Sequence, residues 1–237
     1  MSSHPAGAVT GSGDQPPPAP SEGAFANRAE AGRELAALLA RFGEQRPVVV
    51  GVPRGGVPVA AEVASALGAP LDVALVRKIG APGNPEYAVG AVAEGGVRLL
   101  DDEVARAVGL SDCDLQALIA RAEQELASQS ARYRGAGEPL DVRGRTAILV
   151  DDGLATGRSA HAAIRSLRRR GAGRVILAVP VAAPESARAL RGEADEIVCV
   201  QMPPDMWAVG VWYRDFSQTD DEQVAALLGA ARRGGVG

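Results

Sequence analysis

The stretch TAILVDDGLATGRS, residues 146–159, decides the fold of this chain. Residues 147–150 are aliphatic and predict a buried strand. Two carboxylates, Asp151 and Asp152, follow that strand directly, and a short loop of small residues then leads into a helical pattern over 160–170. Ligands of open α/β sheets bind at the carboxyl ends of the strands. The stretch therefore predicts a ligand site on a strand–loop–helix unit.

The loop from Gly153 to Ser159 has the composition of an anion cradle. Backbone N–H groups at a helix N-terminus lack intrahelical partners, and the helix dipole is positive there. A phosphate on the loop and a diol on the acidic pair would satisfy both halves, so a sugar phosphate is the expected ligand. The alternative is a plain polar turn, with Asp152 near an N-cap. A buried strand that ends in two carboxylates is costly without a partner, which favours the site.

Two common nucleotide motifs do not fit this stretch. Three residues rather than four separate Gly153 from Gly157, and Arg158 stands where a P-loop has lysine. The acidic pair precedes the glycines, unlike the arrangement in the dinucleotide-binding fingerprint. The stretch instead resembles the signature of the type I phosphoribosyltransferases, which is an apolar strand, two acids and a small-residue loop that ends in Thr-Gly-x-Ser/Thr.

This resemblance implies a parallel-sheet, Rossmann-like α/β core with a small hood lobe and a flexible lid loop. It implies that Asp151 and Asp152 act catalytically on the ribose diol of phosphoribosyl pyrophosphate (PRPP) and, directly or through water, bind Mg²⁺. The residues implied to hold the 5-phosphate are Ala155, Thr156, Gly157, Arg158 and Ser159. No protein nucleophile is expected, because the reacting carbon has cationic character.

The segment VGVPRGG, residues 50–56, predicts a second anion-binding loop after another buried strand. Glycines let backbone N–H groups approach an anion closely, and Arg54 adds charge and bidentate donors. In the family that the chain resembles, this loop binds pyrophosphate, often through a non-proline cis peptide. The resemblance thus assigns Arg54 and Gly55 to pyrophosphate and makes the Pro53–Arg54 bond the candidate cis peptide. The alternative is a plain glycine turn.

A pair of cations, Arg77 and Lys78, follows the predicted strand 71–76. We assign both to the charge of the leaving pyrophosphate, with Lys78 also as a catalytic group. Segment 79–96 is rich in Gly and Pro, as a mobile lid would be, with a possible short strand at 87–92. The resemblance to adenine phosphoribosyltransferases implies a catalytic Glu86 near the base. A solvated lid charge is the alternative.

Both tryptophans stand in MWAVGVWY, residues 206–213, of a chain that is only 3% aromatic. Aromatic side chains grouped in this way suggest a stacking platform for a planar base. The resemblance places Trp207 over the base, whereas packing of a small lobe is the alternative. Ala155 stands where 6-oxopurine enzymes carry an acid, which favours an adenine-like acceptor.

Composition and organisation limit the remaining possibilities. The 237 residues are 46% hydrophobic with a net charge of −4, which argues against nucleic-acid binding as the main activity. We expect a disordered tail over 1–23 and a phosphoribosyltransferase domain over 24–237. Its core would span about 46–200, and its hood would combine the N-terminal helix with about 201–220. Strands alternating with helices imply a parallel sheet covered on both faces. A long helix from the Ser111 cap to Tyr133 has no role assigned.

Two function classes follow from these observations. The first is a PRPP-dependent transferase that moves the 5-phosphoribosyl group to a nitrogenous base, with a purine favoured, and releases pyrophosphate. The second is a PRPP- or nucleotide-sensing regulator of the same fold that binds nucleic acid. A PRPP synthetase is a poorer third, since one such domain is too short. No long apolar segment or signal-peptide pattern is present, so a cytoplasmic protein without a membrane partner is expected, and a homodimer stays open.

Overall fold

A computed structural model describes residues 21–234 apart from residues 22, 83 and 136, and the side chains of 84–87 lie outside the description. The strands are β1 (Val48–Gly51), β2 (Leu71–Val73), β3 (Val76–Ala81), β4 (Asn84–Ala93), β5 (Val97–Leu100), β6 (Thr146–Val150), β7 (Arg174–Val181) and β8 (Glu196–Gln201). The helices are α1 (Arg28–Leu39), α2 (Gly56–Leu67), α3 (Asp102–Ala107), α4 (Asp112–Arg134), α5 (Arg158–Arg169), α6 (Pro184–Ala189) and α7 (Asp221–Gly234). Short 3-10 turns occupy 40–45 and 210–212.

A parallel five-stranded sheet with the order β2-β1-β6-β7-β8 forms the centre of the fold. The last residue of β1, Gly51, lies opposite Val73 of β2 and Val150 of β6. The carboxyl ends of these strands are therefore level, and the loops that leave them meet at one edge. The expected α/β fold with a parallel sheet is confirmed.

Apolar helices cover both faces of this sheet. On one face, Leu35 of α1, Val63 of α2 and Leu228 of α7 pack with the buried side chains of Ile148 and Ile176. On the other face, Ile164 and other apolar residues of α5 pack with alternate residues of the same strands. Burial on both faces explains why the strands read as continuous aliphatic runs rather than as alternating patterns.

Much of the segment expected to form a lid loop, 79–96, belongs to an antiparallel sheet. Strands β3, β4 and β5 pair in that order, and the short strand expected at 87–92 lies within β4. Buried Ile79, Val89 and Val92 pack against Ile119 of α4. Most of this segment is therefore paired in strands rather than forming an open loop, and its role as a mobile lid stays a prediction. A Cβ on Gly90 would lie 2.5 Å from the carbonyl oxygen of Leu99, so glycine allows this strand pair to form.

Helix α4 starts at the predicted cap. The Ser111 hydroxyl accepts from the Asp114 N–H at 3.2 Å, and the Asp114 carboxylate accepts from the Ser111 N–H at 3.3 Å, which is a capping box. Its other end is fixed by Arg134, a fully buried guanidinium that donates to Asp72 across 2.8 Å and also to Glu94. Helix α4 thereby connects the antiparallel sheet to the edge strand β2.

A small aromatic cluster lies beside the main core. The rings of Phe25 and Tyr213 are 5.6 Å apart, and the two residues form a short parallel bridge. Ala31, in the first turn of α1, packs with them, whereas the later residues of α1 lie in the main core. Among the described helices, none combines the length and the apolar character needed to cross a bilayer.

Candidate active site

The acidic pair lies at the carboxyl end of β6 and is mostly removed from solvent. Burial raises the pKa of Asp151 well above its usual range, and the neighbouring charge of Asp152 adds to this effect. Burial also raises the pKa of Asp152, although the charge of Arg28 opposes the rise. The Asp152 N–H donates to Asp151 Oδ1 at 2.9 Å, which fixes the position of the first carboxylate.

Two residues that the sequence analysis did not single out hold Asp152. Arg28 Nε, in the first turn of α1, donates to Asp152 Oδ2 across 2.8 Å, and the two side chains are only 12% and 14% exposed. The Arg28 guanidinium lies 4.0 Å over the Phe216 ring and donates to the carbonyl of Ser217 at 2.8 Å. The Tyr213 hydroxyl donates to the carbonyl of Asp152 at 2.6 Å. No local pattern near Arg28 or Tyr213 signals these contacts.

The loop after the acidic pair presents a row of backbone donors. Among the described residues, no acceptor is bound to the amides of 155–160, whereas the amide of His161 donates to Gly157 at 2.8 Å. Gly157 has a φ of +72°, a left-handed conformation that favours glycine at this turn. The amide of Leu154 donates to Val181 of β7 at 2.8 Å and anchors the loop. The predicted phosphate residues thus leave several amides without a bonded acceptor at the start of α5, where the helix dipole is positive.

The loop after β1 lies directly against the acidic pair. The Pro53–Arg54 peptide bond is cis, as the family resemblance implied. A Cβ on Gly55 would lie 1.9 Å from Asp152 Oδ2, and a Cβ on Gly56 would lie 2.7 Å from the carbonyl oxygen of Val150. Only glycine fits at these two positions, because any side chain would collide with the carboxylate or with β6.

The structure separates the two cations that were grouped together. Arg77 and Lys78 are neighbours on β3, and successive strand residues point to opposite faces. Arg77 Nη2 donates to Glu125 Oε2 of α4 at 2.6 Å and shares a cavity of about 840 Å³ with Arg54. Lys78 is exposed and lines a different cavity, of about 510 Å³, together with residues of the phosphate loop. Lys78 is therefore placed beside the predicted 5-phosphate residues and Arg77 beside the predicted pyrophosphate residues.

Two residues were assigned to the base, Glu86 and Trp207. The backbone of Glu86 belongs to β4, but its side chain lies outside the described residues. Trp207 is 69% exposed. The loop that carries Trp207 packs closely against Gly153 through Val209. A Cβ on Gly153 would lie only 2.5 Å from Val209 Cγ1. Trp212 packs with the aromatic cluster, in keeping with a packing role.

The donor chemistry of the acidic pair suits Mg²⁺. In the part of the chain that the structure describes, no group of three or more His, Cys, Asp or Glu side chains is arranged to hold a metal. Magnesium needs few protein ligands, because it keeps several waters and binds one or two carboxylates together with substrate phosphates. The adjacent carboxylates of Asp151 and Asp152 match that requirement.

Comparisons with known proteins agree with this architecture. A crystal structure of the protein TT1426 from Thermus thermophilus superposes with a TM-score of 0.74 at 47% identity, covering 86% of this chain and 97% of that one. A putative phosphoribosyl transferase of Mycobacterium tuberculosis is 46% identical over 209 residues, which are 88% of this chain. The chain spans about half the length of that relative, since the match covers 47% of it.

A shorter match concerns another relative. A uracil phosphoribosyltransferase of Lactobacillus gasseri is 51% identical over 53 residues, which are 22% of this chain and 25% of that protein. A family model for the phosphoribosyl transferase domain matches residues 24–215. The chain therefore belongs to the phosphoribosyl transferase family.

Proposed function

We propose that this chain transfers the 5-phosphoribosyl group of PRPP to a nitrogenous base and releases pyrophosphate. One observation carries the proposal: a buried pair of carboxylates and a row of unbound backbone amides lie at the two ends of one short loop. The first group can accept hydrogen bonds from a ribose diol, and the second can donate to a phosphate. The loop with Arg54 and Gly55 adjoins the acidic pair, where the pyrophosphate would begin.

Each part of the site has a separate role in this reaction. Asp151 and Asp152 orient the ribose, and their negative charge favours the cationic character that develops at its reacting carbon. The amides of 155–159 hold the 5-phosphate, with Lys78 as a nearby cation. Arg54 and Arg77 offset the charge of the leaving pyrophosphate. Mg²⁺, held by the acidic pair, would supply further positive charge to the pyrophosphate oxygens.

We further propose that the acceptor is a flat heterocycle, with an adenine-like purine favoured. Trp207 offers a large exposed ring on a loop that is anchored against Gly153. Stacking on such a ring contributes about 1–3 kcal/mol per base in nucleic-acid complexes. Ala155 provides no carboxylate for the proton of a 6-oxopurine.

The test is turnover by the purified chain with PRPP and Mg²⁺ across a panel of purines, pyrimidines and other nitrogenous acceptors. We expect pyrophosphate release that depends on the presence of one acceptor class. The matched control is Asp151→Asn with Asp152→Asn, which keeps the shape of both side chains and removes their charge. This double variant should lose Mg²⁺-dependent PRPP binding in calorimetry.

Two outcomes would change the proposal. Turnover of pyrimidines alone would overturn the purine preference and leave the transferase chemistry intact. Tight PRPP binding without release of pyrophosphate with any acceptor, together with a salt-dependent shift of RNA or DNA, would favour the regulatory alternative.

A further inference from the structure

The backbone carbonyl of Asp152 is held by a single side chain. The Tyr213 hydroxyl donates to this oxygen across 2.6 Å, and no other donor of the described residues bonds to it. Tyr213 is almost completely buried, so solvent is not available to satisfy its hydroxyl. The polar end of this buried side chain is therefore directed at a residue of the acidic pair.

This hydrogen bond sets the direction of the peptide unit between Asp152 and Gly153. The unit is planar and trans, so the Gly153 N–H points away from the carbonyl that Tyr213 holds. Gly153 opens the predicted phosphate loop, and within the described part of the chain its amide has no bonded acceptor. The Tyr213 hydroxyl thus orients both the second acidic residue and the first amide of that loop.

The side chain of Asp152 is held by a neighbour of the same tyrosine. Arg28 donates to Asp152 Oδ2 at 2.8 Å, and its guanidinium lies 5.9 Å from the centre of the Tyr213 ring. Asp152 Oδ1 accepts no hydrogen bond from the residues that the structure describes, so it stays available to a ribose hydroxyl. The backbone and one carboxylate oxygen of Asp152 are therefore fixed, and the other oxygen is left for a ligand.

Tyr213 lies at the end of segment 206–213, which also carries the exposed Trp207. Halfway along this segment, Val209 packs against Gly153, where an added Cβ would lie 2.5 Å from Val209 Cγ1. The segment therefore contacts the loop after β6 at two points, through an apolar contact and through the hydrogen bond of the tyrosine. A movement of the segment over a bound base must change the position of the acidic pair.

We propose that Tyr213 is a positioning residue, which couples the segment that binds the base to the carboxylate that binds the ribose. PRPP on the acidic pair orders segment 206–213 before any base is present, and a base on Trp207 in turn fixes Asp152. Such coupling is reciprocal, because each ligand changes the affinity of the other by the same factor. The inference rests on the proposed function and names the contact that joins its two halves.

The first experiment measures Mg²⁺-dependent PRPP binding by calorimetry, with the full chain as wild type and as Tyr213→Phe. Phenylalanine keeps the ring that packs against Phe25 and Phe216 and removes only the hydroxyl. We expect the variant to bind PRPP roughly three- to tenfold more weakly, which is the effect of losing one hydrogen bond that positions a binding group.

The matched control is Tyr133→Phe, at a second buried tyrosine. The Tyr133 hydroxyl donates to Asp221 at 2.6 Å, so this variant loses an equally short hydrogen bond away from the acidic pair. Thermal unfolding should show a similar fall in Tm for both variants, whereas only Tyr213→Phe should lose PRPP affinity. Equal loss of affinity in the two variants would reduce the effect to general stability and overturn the positioning role.

Hydrogen exchange tests the coupling itself and needs no base. Saturating Mg²⁺ and PRPP should slow exchange of the amides in segment 206–213 of the wild type, and this protection should be largely lost in Tyr213→Phe at saturation. Equal protection in the two proteins, or a wild-type segment that exchanges at the same rate with and without bound PRPP, would overturn the coupling and leave the transferase proposal intact. Failure of the wild type to bind PRPP would instead overturn the proposed function, and this inference with it.

Discussion

Arg28 Nε and Asp152 Oδ2 form an ion pair across 2.8 Å, although the two residues are 124 positions apart in the chain. The pair connects the first turn of α1 to the carboxylate that we assign to the ribose. The guanidinium of Arg28 also contacts Phe216 and Ser217. This arginine therefore connects the first helix, the acidic pair and the segment that follows Tyr213.

Arg28→Met should weaken PRPP binding in a pH-dependent way. Burial raises the pKa of Asp152 and Arg28 opposes that rise, so without the arginine the pKa moves further up. Ionised Asp152 is needed for the diol, and the pH at which Mg²⁺-dependent PRPP binding is half-maximal should move upward. Arg28→Lys, which keeps the charge, should shift it less. An unchanged midpoint in Arg28→Met would show that the pair only stabilises the fold.

Asp151→Asn should make the protein more stable at neutral pH. The folded state raises the pKa of Asp151, so it binds the proton more tightly than the unfolded chain does. Wild-type stability therefore falls as the pH rises from the ordinary carboxyl range through the raised pKa. Asparagine does not ionise, so the variant does not lose stability in this way, and its side-chain oxygen can still accept from the Asp152 N–H. The urea midpoint of Asp151→Asn should exceed that of the wild type by an amount that grows from about pH 4 to about pH 8. A difference that stays constant over this range would contradict the raised pKa of Asp151.

Gly55→Ala should disrupt the acidic pair. The added Cβ would lie 1.9 Å from Asp152 Oδ2, so either the carboxylate or the loop must move. We expect a loss of at least about 2 kcal/mol of stability, in the range of overpacked sites, together with loss of PRPP binding. Gly234→Ala is the matched control, since a Cβ there meets nothing within 4 Å. Thermal unfolding and calorimetry check both effects, and a Gly55→Ala protein with normal PRPP affinity would contradict the geometry.

Arg134→Met should destabilise the whole domain. Its fully buried guanidinium pairs with Asp72 and Glu94 and donates to the carbonyl of Val73 at 2.8 Å. Removing one partner of a buried charge network leaves uncompensated carboxylates and costs about 3–5 kcal/mol. Arg143→Met, at an exposed pair with Asp141, should leave the free energy of unfolding nearly unchanged, because exposed ion pairs contribute little to stability. Similar urea midpoints for the two variants would refute a stabilising role for the buried network.

Trp207→Ala should raise the KM for the base and leave both PRPP affinity and Tm nearly unchanged. The ring is 69% exposed, so truncation removes little packing, and a stacking contact of about 1–3 kcal/mol corresponds to roughly 5- to 150-fold in KM.

Glu86→Gln should instead lower kcat if Glu86 exchanges a proton with the base. Steady-state kinetics separate the two effects, and an unchanged KM in Trp207→Ala would remove the base from this loop.

Much of the candidate site could be predicted because it is local in sequence. The strand 146–150, the acidic pair and the loop that ends at Ser159 are contiguous, so each positions the next without help from the rest of the fold. The approach of Gly55 to Asp152 was not predicted, because it depends on the pairing of β1 with β6, which brings the ends of both strands to the same edge of the sheet. Aliphatic runs in both strands indicate a buried parallel sheet, but they do not show which strands are neighbours.

Other features depended on contacts between distant residues. Strand alternation places Arg77 and Lys78 on opposite faces, but only the pairing of β3 with β4 shows that these residues form a strand. The contact of Arg77 with Glu125 then shows that its face meets α4. No local pattern places Arg28 on Asp152. Sequence periodicity reports which face of an element is apolar, and it was therefore enough to predict the parallel sheet and the helices that cover it. The ion pairs join side chains far apart in the chain, and only the packing of α1, α4 and α7 onto that sheet decided them.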